Sequence, residues 1–127
     1  MSQSVLVVDD EPNIVLSLEF LMKQLKLDVR VARNGEEALD EIGKGAPDLV
    51  LLDVMMPKRD GYSVCRAIRA NAAWDGMKIV MLTAKGREEE RQKGIEAGAD
   101  GYIIKPFSTR EVTARVRTLL ALDCNGR

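Results

Sequence analysis

The run Leu49-Val50-Leu51-Leu52-Asp53 limits the possible folds of this chain more than any other stretch. Four large apolar residues in succession do not alternate with polar ones, so both faces of the segment must be covered. That is the pattern of a central strand in a parallel sheet, which needs helices above and below it. The run ends on a lone carboxylate, Asp53. Val54-Met55-Met56-Pro57 follows, and the proline limits any continuation. In open α/β sheets ligands bind outside the carboxyl ends of the strands, so Asp53 stands where such folds do chemistry. A single aspartate at a strand end more often caps a turn. Here it has company.

Val5-Leu6-Val7-Val8 is a second buried run, ending in Asp9-Asp10-Glu11, and Pro12 suits the first turn of a helix. Val15, Leu18, Met22 and Leu25 then recur at helical spacing. Leu16, Phe20 and Leu21 widen that stripe, which predicts a well-buried first helix. Residues 28–32 read as a short strand with Val29 and Val31, Asn34-Gly35 as a turn and 36–42 as a helix. Gly43-Lys44-Gly45-Ala46-Pro47 is an ordinary helix-to-strand loop, because it lacks the glycine, four residues, Gly-Lys-Ser/Thr pattern of a phosphate cradle.

Beyond Asp53 come a loop holding Asp60-Gly61, a helix over 62–70 and a second loop over 71–76 with the sole tryptophan, Trp74. A fourth strand over 78–82 ends at Thr83-Ala84. A charge-dense helix over 87–95 has little to bury, and a fifth strand over 100–104 ends at Lys105-Pro106. Ser108 or Thr109 can cap a last helix whose stripe is Val112, Val116, Leu119 and Leu120. Strands alternating with helices give an α/β class, a doubly wound five-stranded parallel sheet. The 127 residues read as a single domain, with an ordered core over 4–121 and a polar tail over 122–127.

Charge and composition remove several function classes. With 19 basic and 20 acidic residues, a net charge of −1 offers no electrostatic capture of nucleic acid or of a membrane surface. No apolar run approaches the ~20 residues of a membrane span, and no signal peptide is visible. Cys65 and Cys124 are unclustered, which fits neither a zinc site nor a disulfide framework and suits a reducing cytoplasm. There is no histidine. A histidine-dependent triad and a phosphohistidine carried by this chain are both excluded.

A parallel sheet gathers the strand ends at one edge: Asp9 and Asp10, Asp53, Thr83 and Lys105. Three carboxylates held close repel one another and call for a cation. Oxygen ligands without histidine or cysteine suit a hard ion, magnesium above zinc, which leaves room for water and phosphate oxygens. A hydroxyl and an ammonium nearby could hold the remaining oxygens of a phosphoryl group, and a carboxylate can itself become an aspartyl-phosphate.

Over essentially its whole length the chain resembles the receiver domain of two-component response regulators. The motifs are Val7-Val8-Asp9-Asp10-Glu11, Leu51-Leu52-Asp53-Val54-Met55-Met56-Pro57, Asp60-Gly61, Leu82-Thr83-Ala84 and Lys105-Pro106-Phe107, in the family's order and spacing. The resemblance implies a flavodoxin-like strand order 2-1-3-4-5 and a regulatory phosphoacceptor rather than a turnover enzyme. It implies that Asp53 is the phosphoacceptor. Asp9, Asp10, Asp53 and the Met55 backbone carbonyl become magnesium ligands. Thr83 and Lys105 become phosphoryl contacts, and Thr83 and Tyr102 the switch pair. It also implies a cis peptide at Pro106. The implied partners are a histidine kinase or a histidine-phosphotransfer protein upstream. Downstream, a partner or a second copy would meet the surface of the fourth helix, fifth strand and fifth helix.

A magnesium-dependent phosphatase with an aspartyl nucleophile is the competing class. It usually carries an Asp-x-Asp pair, and here the second positions hold Glu11 and Met55. A degenerate receiver is opposed by the intact acidic cluster, Thr83 and Lys105, and a flavodoxin-like nucleotide binder by the missing glycine loop. A stand-alone receiver and one joined to further domains would read alike over these residues.

Overall fold

The computed structural model of the protein describes residues 3–55, 60–84 and 88–121, the side chains of 88–91 excepted. The expected tail over 122–127 lies outside the described residues. Five strands alternate with five helices: β1 (Ser4–Val8), α1 (Pro12–Gln24), β2 (Asp28–Ala32), α2 (Gly35–Lys44), β3 (Leu49–Asp53), α3 (Gly61–Arg69), β4 (Lys78–Thr83), α4 (Glu88–Ala97), β5 (Gly101–Ile104) and α5 (Thr109–Leu120). The strands form one parallel sheet in the order β2-β1-β3-β4-β5, the doubly wound, flavodoxin-like arrangement.

β3 is central, and every one of its residues is buried. Burying a leucine or valine side chain contributes about 1.5–3 kcal/mol, so Leu49–Leu52 alone contribute about 6–12 kcal/mol. The net stability of a typical domain is only about 5–15 kcal/mol, so losing any one of these side chains removes a large share of it.

Strand alternation sorts the core into two clusters, one on each face of the sheet. Val5, Val7, Leu49, Leu51, Val80, Leu82 and Ile103 pack against Leu18 and Met22 of α1 and Val112 and Val116 of α5. Leu6, Val8, Val50, Leu52, Ile79 and Met81 pack against Ile42 of α2, Val64 and Ile68 of α3 and Ala97 of α4.

Two expectations need correction. α1 is not buried across its widened stripe. Leu18, Leu21 and Met22 face the sheet, but Leu16 and Phe20 are 64% and 62% exposed. A helix lying on a sheet covers only one stripe, and these two residues, four apart, share the opposite side. The loop around Trp74 contains a 3-10 turn, Ala72–Trp74, capped by Asn71, whose side chain accepts from the Ala73 amide at 3.0 Å. Trp74 packs on the α2–α3–α4 cluster just ahead of β4, at the amino-terminal edge of the sheet.

Candidate functional site

The parallel register places the functional groups side by side. Asp53 pairs with Leu82 and Thr83 with Ile104, so Asp53 and Thr83 end adjacent strands. Beyond the strands, Val54 N–H donates to Leu82 O at 3.0 Å and Lys105 N–H to Thr83 O at 2.7 Å. Asp9 follows β1 and holds the β2 edge through Ala32 O at 3.2 Å.

Asp9 is fully buried, and Asp53 and Thr83 are only 5% and 6% exposed. A buried carboxylate without compensation costs several kcal/mol, so partners are expected. Lys105 supplies them. Its ammonium lies 2.9 Å from Asp9 Oδ2, 3.4 Å from Asp53 Oδ1 and 3.9 Å from Glu11 Oε1. The Glu11 amide donates to Asp9 Oδ1 at 3.0 Å, and the Met55 amide to Asp53 Oδ1 at 3.3 Å. The Met55 side chain is exposed. The Lys105–Pro106 peptide is cis.

Among the described residues, one ammonium does not balance the acids around it. Asp9, Asp10 and Asp53 bring carboxylate oxygens within 4.8 Å of one another, with Asp10 exposed and the other two buried. Burial, then the negative charge of Asp9, pushes the Asp53 carboxyl up to about 6, against the pull of Lys105 and the Met55 amide. Burial works to lower the Lys105 ammonium. Its hydrogen bond to Asp9 and the charges of Asp53 and Asp9 outweigh that, and it is raised. An all-oxygen acidic cluster with surplus negative charge fits a hard divalent cation such as magnesium.

Gly61 is required by close packing. A Cβ there would collide with the Asp53 carbonyl oxygen and come within 3.0 Å of the Val54 Cα. Its amide donates to Val54 O at 3.0 Å, and Asp60 caps α3 by accepting from the Ser63 amide at 2.8 Å. The Asp60-Gly61 pair thus fixes the backbone immediately after Asp53.

Residues 79, 81 and 83 point to the α4 face, whereas 49, 51 and 53 point to the α1–α5 face. Thr83 accordingly opens onto a cavity of about 250 Å³ under α4, which Val54, Met81, Ile95 and Tyr102 also line. The structure therefore brings Asp9, Asp10, Asp53 and Lys105 into one cluster. It puts Thr83 and Tyr102 at a neighbouring cavity on the opposite face. Sequence reasoning overlooked Glu11 as a neighbour of Lys105. It also overlooked a hollow of about 420 Å³ that runs from Asp9 and Asp10 along Val15 and Leu16 of α1.

A family profile for the response regulator receiver domain matches residues 5–117. Among solved structures, one from Chloroflexus aurantiacus described as a response regulator is 38% identical, with a TM-score of 0.91, 95% of this chain covered and 99% of that one. Chemotaxis response regulator CheY4 of Vibrio cholerae is 28% identical, with a TM-score of 0.89 and coverage of 94% and 99%. The BeF3-activated receiver domain of DrrB is 36% identical, with a TM-score of 0.88 and coverage of 95% and 99%. A longer structure of DrrB, a Thermotoga maritima OmpR/PhoB homologue, is also 36% identical, and this chain spans 54% of it.

Proposed function

The chain belongs to the receiver-domain family of response regulators, and from that premise we propose that Asp53 takes a phosphoryl group from a phosphohistidine on a partner. One observation supports this above others. Asp53 is a buried strand-end carboxylate, with Asp9 and Asp10 oxygens within 4.8 Å and the Lys105 ammonium at 3.4 Å. In the transfer an Asp53 oxygen attacks phosphorus. The new P–O bond forms as the P–N bond breaks, and the imidazole leaves with the electron pair.

Magnesium is the cofactor that fits, and it would neutralise charge on the phosphoryl oxygens. Asp9, Asp10, Asp53 and the Met55 backbone carbonyl would hold it. The rest of the work falls to the chain itself. Asp53, at about 6 without a cation, is mostly ionised at neutral pH, as an attacking carboxylate must be. Lys105 shifts part of its pairing from the carboxylates to a phosphoryl oxygen. The Thr83 hydroxyl donates to another. The same groups permit slow autodephosphorylation by water, so the domain is a regulatory phosphoacceptor and not a turnover enzyme.

The donor is a histidine kinase or a histidine-phosphotransfer protein. Its docking face is the exposed Leu16–Phe20 pair of α1, because Leu16 lines the hollow leading to Asp9 and Asp10 and Phe20 is exposed one turn further along the same side. The signal leaves by Thr83 moving towards the phosphoryl group and Tyr102 moving into the space beneath α4. That biases the α4–β5–α5 surface, where a downstream partner or a second copy binds. No helix among the described residues is long and apolar enough to cross a membrane. The reading places residues 1–127 in the cytoplasm as one receiver unit, alone or within a longer regulator, with no direct nucleic-acid contact.

Intact-mass measurement after incubation with acetyl phosphate and magnesium tests the assignment. Wild type should gain one phosphoryl group on Asp53, and Asp53→Asn should gain none there. Equal labelling of the variant would refute the assignment.

A further inference from the structure

α4 is anchored at its carboxyl-terminal end. Of its residues with described burial, Gly94 and Ala97 are buried, whereas Gln92, Lys93, Ile95 and Glu96 are exposed. Both anchors lie in the last turns. The other end begins at Glu88, shortly after Thr83, and the cavity of about 250 Å³ lies between Gly94 and Ile95 of α4 and Met81, Thr83 and Tyr102 of the sheet.

The anchored end is held with unusual completeness. Gly98 takes φ +102, the Gly98 amide donates to Ile95 O at 3.0 Å and the Ala99 amide to Gly94 O at 3.0 Å. That pair of bonds is a Schellman cap, which needs a residue at ease with positive φ. α3 also takes two carbonyls at this end. The Cys65 thiol donates to Ala97 O at 3.3 Å, and Arg69 Nε to Gly98 O at 2.9 Å.

Arg69 does more than cap. Its Nη1 donates to Met77 O at 2.7 Å, and its Nη2 lies 2.7 Å from Asp100 Oδ2. The same Asp100 oxygen accepts from the Ile79 amide at 2.7 Å. One guanidinium thus joins the end of α3, the end of α4, the start of β4 and the approach to β5. Hydrogen bonds from a charged, planar fork are both strong and directional. A Cβ on Gly98 would meet the Arg69 Cγ at 2.6 Å, so the glycine also makes room for the fork.

We propose that Arg69 is a positioning residue that pins the carboxyl-terminal end of α4, so that the helix responds to Asp53 by tilting about Ala97–Gly98 rather than by sliding. The inference rests on the phosphoacceptor reading only for what drives the tilt. α4 has 10 residues and is about 15 Å long. A fixed far end converts a change beside Thr83 into a displacement graded along the axis, greatest over 88–93 and near zero at 97–100.

The test uses the full chain with Arg69→Met, which keeps the stem and loses every donor, and Arg69→Lys, which keeps the charge and loses the fork. Amide exchange without any activator reads the pin directly. Arg69→Met should speed exchange at Gly98 and Ala99 by about tenfold or more, as losing a charge-assisted hydrogen bond predicts, and leave Gln92 and Lys93 nearly unchanged. Arg69→Lys should fall between, and it carries the comparison if Arg69→Met does not fold. Uniform acceleration along α4, or none at Gly98 and Ala99, overturns the pin. With magnesium and beryllofluoride, wild-type chemical-shift changes should fade from 88–93 to 97–100, and Arg69→Met should extend them into 97–100. A wild-type profile as large at 97–100 as at 88–93 overturns the tilt. If beryllofluoride changes nothing at Asp53 and Thr83, it is the phosphoacceptor reading that has failed, and the activator-free exchange still decides the pin.

Discussion

Replacing Asp53 by asparagine should make the metal-free protein more stable. Burial, followed by the charge of Asp9, raises the Asp53 carboxyl from 3.8 to about 6. A raised folded-state value means that the protonated form favours folding. The stability it contributes is complete below about pH 4 and is lost as the pH climbs through about 6. Roughly two pK units at 1.36 kcal/mol each give about 3 kcal/mol of opposition to folding at pH 8. Asparagine keeps the shape and removes the charge. Lys105 keeps Asp9 at 2.9 Å after the change, so little of the gain is returned. The expected difference is about 2–3 kcal/mol, or about 6–12 °C in Tm for a domain of this size.

Urea and thermal melts followed by circular dichroism measure it directly, with a chelator present, at pH 8, 6 and 4.5. Asp53→Asn should melt higher at pH 8, and the gap should close as the pH falls. Added magnesium should raise wild type more than the variant, since the variant lacks one of the three carboxylates. A variant no more stable than wild type at pH 8, or a gap that does not vary with pH, would refute the account of Asp53 as a carboxylate strained by burial and by Asp9.

Leu16→Glu or Phe20→Glu should cut transfer from a phosphohistidine protein at least tenfold while labelling by acetyl phosphate stays within about twofold, because an interface anchor matters only to a macromolecular donor. Comparable losses with both donors would remove α1 as the docking face. Thr83→Ala should still be labelled at Asp53, but a stable phosphoryl mimic should shift α4 resonances far less than in wild type; an undiminished response would take Thr83 out of the relay. Gly61→Ala should cost about 1–3 kcal/mol in urea melts, since its Cβ meets backbone rather than a flexible side chain; an unchanged midpoint would mean that the segment after Asp53 yields easily. Trp74, at the opposite edge of the sheet, should show almost no fluorescence change on magnesium titration, and strong quenching would contradict its placement.

The strands could be read from the chain because fully buried parallel strands leave uninterrupted aliphatic runs, and Val5–Val8 and Leu49–Leu52 are such runs. The convergence of Asp9, Asp53 and Lys105 followed from the same reasoning, since each directly follows or ends a strand. α1 was over-read for a physical reason. Helical spacing locates apolar stripes but does not say which one meets the sheet, and Leu16 and Phe20 sit on the other. Trp74's short turn was missed because a single 3-10 turn has no periodicity to detect. Arg69 left no signal. A basic residue in the last turn of a helix ordinarily complements the helix dipole. Its partners Met77, Gly98 and Asp100 come together only in the folded chain.

The two core clusters share no residue. Asp53 and α1 belong to one face of the sheet, and the cavity at Thr83 belongs to the other. Substitutions in contact couple, whereas those without shared partners add their effects. If α1 receives the donor and α4 carries the readout, as proposed, the two are separable traits. A double variant that alters both should show the sum of the two single effects, and a regulator of this shape can be rewired to a new sender while its listener stays the same.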